Sequence, residues 1–214
     1  KRRLKTVQRI IHAEVLRPVE PSSWAHGFAV GRSIRTNAAQ HLKQEVLVKF
    51  DLREFFHSIT FPRVRGLFRQ MDLGVSESRF LALLCTFHPE RLEKLPEGVT
   101  QQEIHAAFGH PLNGRLRRIL PQGAPTSPAI ANLVARGLDR RLAALALKFR
   151  ANYTRYADDL TFSGGPEFHR DLPRFIPLVR RIIRDEGYWV RQGKTRVIRR
   201  GNRQCVTGLV VNEI

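Results

Sequence analysis

Apolar and polar positions alternate in several short runs and recur at helical spacing in longer ones. Val46-Leu47-Val48-Lys49-Phe50 predicts a strand over 46–52. Tyr153-Thr154-Arg155-Tyr156 and Leu160-Thr161-Phe162-Ser163 predict a hairpin whose tip is Tyr156-Ala157-Asp158-Asp159. Helical spacing of Leu4, Val7, Ile11 and Val15 predicts a helix over 1–20, stopped by Pro18 and Pro21. Val64, Leu67, Phe68 and Met71 mark one face of a short helix entered through Pro62, and Ser76 is a candidate N-cap for a helix over 77–87. Thr126 or Ser127 caps, and Pro128 opens, one long helix with Ile130, Leu133, Val134, Leu138, Leu142 and Leu145 inward. Phe175, Leu178, Val179, Ile182 and Ile183 line another that ends near Gly187. Short strands are expected over 188–191, 195–199 and 205–211. Residues 25–33 read as a loop, and 88–118, rich in Pro, Gly, Arg and His, as an insertion lobe. This order implies an α+β fold, an antiparallel sheet backed by helices on one face.

Composition narrows the partner. The 214 residues suffice for one large domain or two small lobes, and 42% are hydrophobic, which argues against disorder. Lys and Arg total 37 against 19 acids, a net charge of +18 that favours a polyanion. A basic scaffold protein is the bland alternative. Cys85 and Cys205 have no metal-ligand spacing and fit a reducing, cytoplasmic setting. No apolar run nears the roughly 20 residues that span a bilayer, so no membrane partner is expected. The first residue is Lys1 rather than Met, which reads as a piece of a longer protein.

Against this basic background, the acids stand out. Two adjacent carboxylates at a hairpin tip repel one another unless a cation neutralises them. Asp51 ends the 46–52 strand, and if the two strands are neighbours three carboxylates meet, as a pair of divalent metals requires for phosphoryl transfer. Taken singly, an Asp-Asp pair is usually a solvated turn and Asp51 could be a strand-end cap. Leu120-Pro121-Gln122-Gly123-Ala124-Pro125-Thr126-Ser127-Pro128 adds a rigid loop before a capped helix, a setting that favours phosphate.

In order, the Asp of Phe50-Asp51-Leu52-Arg53-Glu54-Phe55-Phe56, the LPQGAPTSP loop and YADD resemble motifs A, B and C of the reverse transcriptases. Gly27 to Ser33 (GFAVGRS) resembles the fingers motif of the prokaryotic branch. Asn37-Ala38-Ala39-Gln40-His41 and Val206-Thr207-Gly208 resemble the NAxxH and VTG patterns of retron enzymes. The resemblance implies a right-hand polymerase palm from residues 46–87 and 121–214, with fingers from 1–45 and 88–120. It implies RNA-templated addition of dNTPs to a DNA or RNA primer, and a structured non-coding RNA as cognate partner.

It also implies roles. Asp51 and Asp158 would bridge two Mg²⁺ ions roughly 3.5–4 Å apart, with Asp159 supporting and Mn²⁺ a substitute. Phe56 would be the steric gate against a 2′-hydroxyl, although Phe55 and Phe56 could both be core aromatics. Gln122 would touch the incoming nucleotide, and Lys194 would protonate pyrophosphate. Arg3 falls where fingers grip the triphosphate. Arg32, Arg35, Asn37, His41, Val206, Thr207 and Gly208 would meet template or partner RNA, though a lone histidine is more often packed. Where retron enzymes often carry Asn, three residues before the lysine, this chain has Arg191. A helical thumb normally follows VTG; here the sequence stops at Ile214, which predicts weak binding of template-primer by these residues alone. The rivals are a group II intron or defence-associated reverse transcriptase, an RNA-dependent RNA polymerase, and a silent RNA-binding module.

Overall fold

A computed structural model describes residues 2–89 and 118–212. In chain order the elements are α1 (Arg2–Ile11), a π-helical turn (His12–Leu16), α2 (Ile34–Ala39), β1 (Val46–Asp51), α3 (Phe61–Arg69) and α4 (Val75–Cys85). Then come α5 (Ser127–Val134), α6 (Arg136–Lys148), β2 (Ala151–Tyr156), β3 (Asp159–Gly164), α7 (Pro166–Asp185), β4 (Arg196–Arg199), β5 (Cys205–Val206) and β6 (Leu209–Val210). The insertion expected over 88–120 lies, from 90 to 117, outside the described residues.

These elements form two compact units. One holds residues 1–20 with 54–134, the other 21–53 with 135–214. Residues 21–45 thus fall in one unit with the acid-bearing hairpin, and 54–87 in the other with 121–134.

The second unit is built on an antiparallel sheet of order β2-β3-β1-β4. β1 pairs with β3 from Val46↔Gly164 to Asp51↔Asp159, and β2 with β3 from Ala151↔Gly164 to Tyr156↔Asp159. Side chains alternate faces along a strand, so Val48 and Phe50 share one face with Phe162 and Tyr153. Phe162 meets Phe50 edge-on at 5.9 Å and Phe175 of α7 at 5.0 Å, which docks α7 under this face. The opposite face carries Leu47, Lys49 and Asp51. α2 and the β5–β6 hairpin cover its far end through Ala38, Leu47, Val206 and Val211. That leaves the end with Lys49 and Asp51 less covered.

In the first unit, α3, α4 and α5 pack around Val64, Phe68, Ala82, Cys85 and Ile130. Ile119 bridges both Thr60 and Phe87, and Leu120 donates its amide to Ile59 at 2.9 Å. Gln8 of α1 donates to the Leu84 carbonyl at 2.8 Å.

Four expectations need correction. The long helix is two, interrupted at Ala135 (ψ 0°), where its backbone leaves the helical region. The N-cap of α4 is Gly74 rather than Ser76, which sits inside the first turn. Residues 205–211 form a tight hairpin of two short strands rather than one strand, and 188–191 contribute a single bridge, Val190 to Leu52.

Candidate active site

The acids converge because of register. Asp51 closes β1 directly opposite Asp159, which opens β3, and Asp158 occupies the turn between β2 and β3. The Leu52 amide donates to the Asp158 carbonyl at 2.9 Å, tying that turn to the end of β1. Burial pushes the Asp158 carboxyl up, and the charges of Asp159 and Asp51 push it further, against its own backbone hydrogen bond and Arg191. Asp159 is also raised, first by burial and then by Asp51, with Lys49 and Lys194 opposing. Burial and the neighbouring acids together disfavour the charged carboxylates, a cost that a bound cation would relieve.

The donor set fits a divalent ion. Asp51 Oδ1 is buried and accepts no well-directed hydrogen bond, although Arg191 Nε stands 3.1 Å away as an ion pair. Among the described residues no group of three or more His, Cys, Asp and Glu is placed to hold a metal ion by itself. Mg²⁺ seldom needs such a group, since it binds through one or two carboxylates plus waters and substrate phosphates.

A strained turn presents these acids. Ala157 has φ 55°, a left-handed conformation that costs a non-glycine residue roughly 1–2 kcal/mol. Its carbonyl accepts from Arg155 Nη1 at 3.2 Å. Arg155, fully buried, is locked by Asp139 of α6 through two bonds, Nε–Oδ1 at 2.7 Å and Nη2–Oδ2 at 2.8 Å. Tyr153 donates its hydroxyl to the same carboxylate at 2.9 Å. On the other side lies the 24–28 loop: the His26 amide donates to the Arg155 carbonyl at 2.7 Å, and the Arg155 amide to the Trp24 carbonyl at 2.8 Å. A Cβ on Gly27 would sit 2.7 Å from the Ala157 nitrogen, so only glycine permits this approach. The GFAVGRS glycine therefore serves the turn. Sequence reasoning missed Asp139 and Arg155; the available signal was an acid inside the apolar face of α6 and an arginine at an inward strand position.

Several residues expected to meet RNA are interior. His41 is fully buried, Nδ1 2.7 Å from Ser163 Oγ and Nε2 2.7 Å from Thr154 Oγ1. Burial first, then His26 and Lys49, lower its pKa to about 3, so the ring is neutral. Asn37 is buried too, donating from Nδ2 to Thr207 Oγ1 at 3.5 Å, and Val206 is wholly core. All three side chains are buried, His41 with both ring nitrogens bonded and Asn37 with its Oδ1 left without a hydrogen-bond partner. NAxxH and VTG are thus two halves of one contact. Thr207 (φ 47°) and Gly208 (φ 85°) form the β5–β6 turn, both left-handed as a type I′ hairpin requires.

Arg32 donates to the Ser23 and Ala25 carbonyls and braces its own loop. Arg35 is exposed on α2; Lys194 is exposed in the turn before β4, where its amide donates to the Arg191 carbonyl at 3.3 Å beside Gly193. Arg3, Phe56 and Gln122 belong to the first unit. Arg3 is exposed on α1, and Gln122 is exposed beside Gly123 (φ 80°). Phe56 is half-buried, edge-on to the buried Phe55 at 5.6 Å.

An antiparallel sheet backed by helices, with acids at the ends of adjacent central strands, defines the palm of a template-directed polymerase. The family model for reverse transcriptase (RNA-dependent DNA polymerase) matches residues 1–207. Two Myxococcus xanthus proteins are similar over nearly the whole chain. Retron Mx65 reverse transcriptase is 46% identical over 99% of the chain and 47% of its own length, and retron Mx162 reverse transcriptase 42% identical over 98% and 42%. The retron Ec86 reverse transcriptase of Escherichia coli is 29% identical over 99% and 57%. The chain thus spans about half the length of the curated relatives it matches. Telomerase from Candida albicans, solved with a TWJ fragment of telomeric RNA, shares the fold at TM-score 0.54 and 12% identity, covering 98% of this chain and 37% of its own. This chain belongs to the reverse transcriptase family.

Proposed function

We propose that the protein is an RNA-directed DNA polymerase of retron type, extending a primer 3′-hydroxyl with dNTPs on a structured RNA template. The observation that carries this reading is the in-register meeting of Asp51 and Asp159 beside the turn that holds Asp158. Asp51 and Asp158 hold the divalent ions, Mg²⁺ or Mn²⁺ in its place, with Asp159 in support. Ions held by these acids would supply positive charge to offset that developing on the attacking and leaving oxygens. Residues 46–87 and 121–214 serve as palm, and 1–45 with 88–120 as fingers. Phe56 screens out the ribose 2′-hydroxyl, Gln122 contacts the nucleotide, Arg3 the triphosphate, and Lys194 delivers a proton to pyrophosphate. Arg35, and Thr207 and Gly208 at their exposed turn, face the partner RNA. The Mx65 and Mx162 similarities over nearly the whole chain support the retron assignment.

Primer extension on an RNA template with Mg²⁺ and dNTPs, using the full-length protein, tests the reading. Asp51→Ala and Asp158→Ala should each lower extension by at least about 10²–10³-fold, the loss seen when one charge-stabilising group is removed. Extension at wild-type rate by either variant would refute it.

A further inference from the structure

The turns after α7 enclose, with its last turns, a cleft of about 390 Å³, large enough for one nucleotide unit. Arg180 and Arg184 of α7, Arg191, Trp189, Gln192 and Gly193 line it, and among the described residues none of its lining is acidic. Arg180 and Arg184 are one helical turn apart, a like-charge spacing that destabilises a helix unless an anion lies between. The nearest acids in sequence are diverted: Asp185 and Glu186 both bind Arg141, each at 2.9 Å. Neither Arg180 nor Arg184 forms an ion pair among the described residues.

Trp189 shows 63% of its surface to solvent, yet its backbone is fixed. Its carbonyl accepts from the Arg53 amide at 2.7 Å, and the adjoining Val190 bridges Leu52. An immobile backbone carrying an exposed indole beside three arginines is the combination that binds single strands, with arginines tracking phosphates and the aromatic ring stacking a base. The chain leaving the cleft becomes β4, the outer strand of the sheet, and exposes Arg196, Arg199, Arg200 and Arg203. This extended basic tract suits a polymer more than a free nucleotide.

We infer that the cleft between the end of α7 and the 188–195 turns is a binding site for a single-stranded nucleic-acid segment, its phosphates on Arg180 and Arg184 and one base on Trp189. The site needs no primer, metal or dNTP, so it stands or falls apart from the polymerase reading.

The test uses the chain carrying Trp24→Phe, which leaves Trp189 as the sole tryptophan, titrated with a twelve-nucleotide uridine RNA without Mg²⁺. Quenching of Trp189 is expected, weakening as salt rises. The double variant Arg180→Ala/Arg184→Ala should lower the slope of log K against log salt by about 1.4, at about 0.7 per phosphate contact for single strands. Arg180→Lys/Arg184→Lys should retain the slope. With a fluorescent RNA of the same length, Trp189→Ala should weaken binding about tenfold, its thermal midpoint confirming an intact fold. The inference is overturned if RNA binds the alanine variants with unchanged affinity and slope. It is equally overturned if UTP quenches Trp189 as strongly as the oligomer, which would make the cleft a mononucleotide pocket.

Discussion

His41 places an imidazole between two hydroxyls contributed by different strands, and that choice sets how the protein responds to acid. The unfolded ring titrates near its ordinary 6.5, while the folded ring holds out to about 3. A folded pKa below the unfolded one means that the unfolded chain takes up the proton first as pH falls. Stability from this residue is thus whole above pH 6.5 and drains away between 6.5 and about 3. At pH 5 the loss should be about 2 kcal/mol, from about 1.4 kcal/mol per pH unit. Urea unfolding at pH 7 and pH 5 checks this: His41→Asn should be less stable at pH 7 and lose less on acidification. His26, lowered to about 4 chiefly by burial, titrates in both proteins. At this scale the sequence misleads where polar residues turn inward. NAxxH reads as a recognition motif because its hydroxyl partners, Thr154 and Ser163, lie 113 and 122 positions away. Burial of a polar group is allowed once such partners exist, and no local pattern announces them.

Strands and the acidic turn were legible because alternation and a two-residue connection leave few other foldings. The helix ends were less so. Ser76 is a good capping type, yet the turn from Asp72 (φ 58°) starts α4 earlier, at Val75. The run from Ser127 to Lys148 has unbroken helical periodicity and still divides at Ala135, where contacts on either side belong to different compact units. What holds the Asp158 turn is also tertiary. Removing one partner of a buried ion pair strands the other, a loss of about 3–5 kcal/mol, and Asp139→Ala should show it in urea unfolding. The double variant Asp139→Leu/Arg155→Met should recover much of that stability, because two apolar groups replace two charges. Primer extension by the full-length protein should stay low in the double variant, since the Ala157 carbonyl has lost its guanidinium. Recovery of both properties together would reduce the pair to packing.

Across the whole chain, 37 basic residues face 19 acids, and the acids that matter are drawn to one end of the sheet. RNA affinity should accordingly fall about 10³-fold between 50 and 200 mM salt if about six phosphates are neutralised. Filter binding of a template RNA across that range measures it, and a flat response would show that base contacts dominate. The unit boundaries could not be read from chain order, because both units are assembled from separated stretches. Composition named the class of partner, whereas register, invisible to composition, brought the acids together. The arginines of β4 have another consequence. β2 is flanked at its outer side by the Ala25 bridge to Arg155, while β4 ends the sheet with Arg196 and Arg199 exposed. Gln204 reaches the Ile198 carbonyl of β4 at 3.1 Å, but an outer strand can still act as a template on which copies of a protein polymerise, and like charges along it keep neighbours apart. The groups proposed to draw the chain toward RNA would therefore also keep it from adding strands to itself, and stripping them to abolish the one would invite the other.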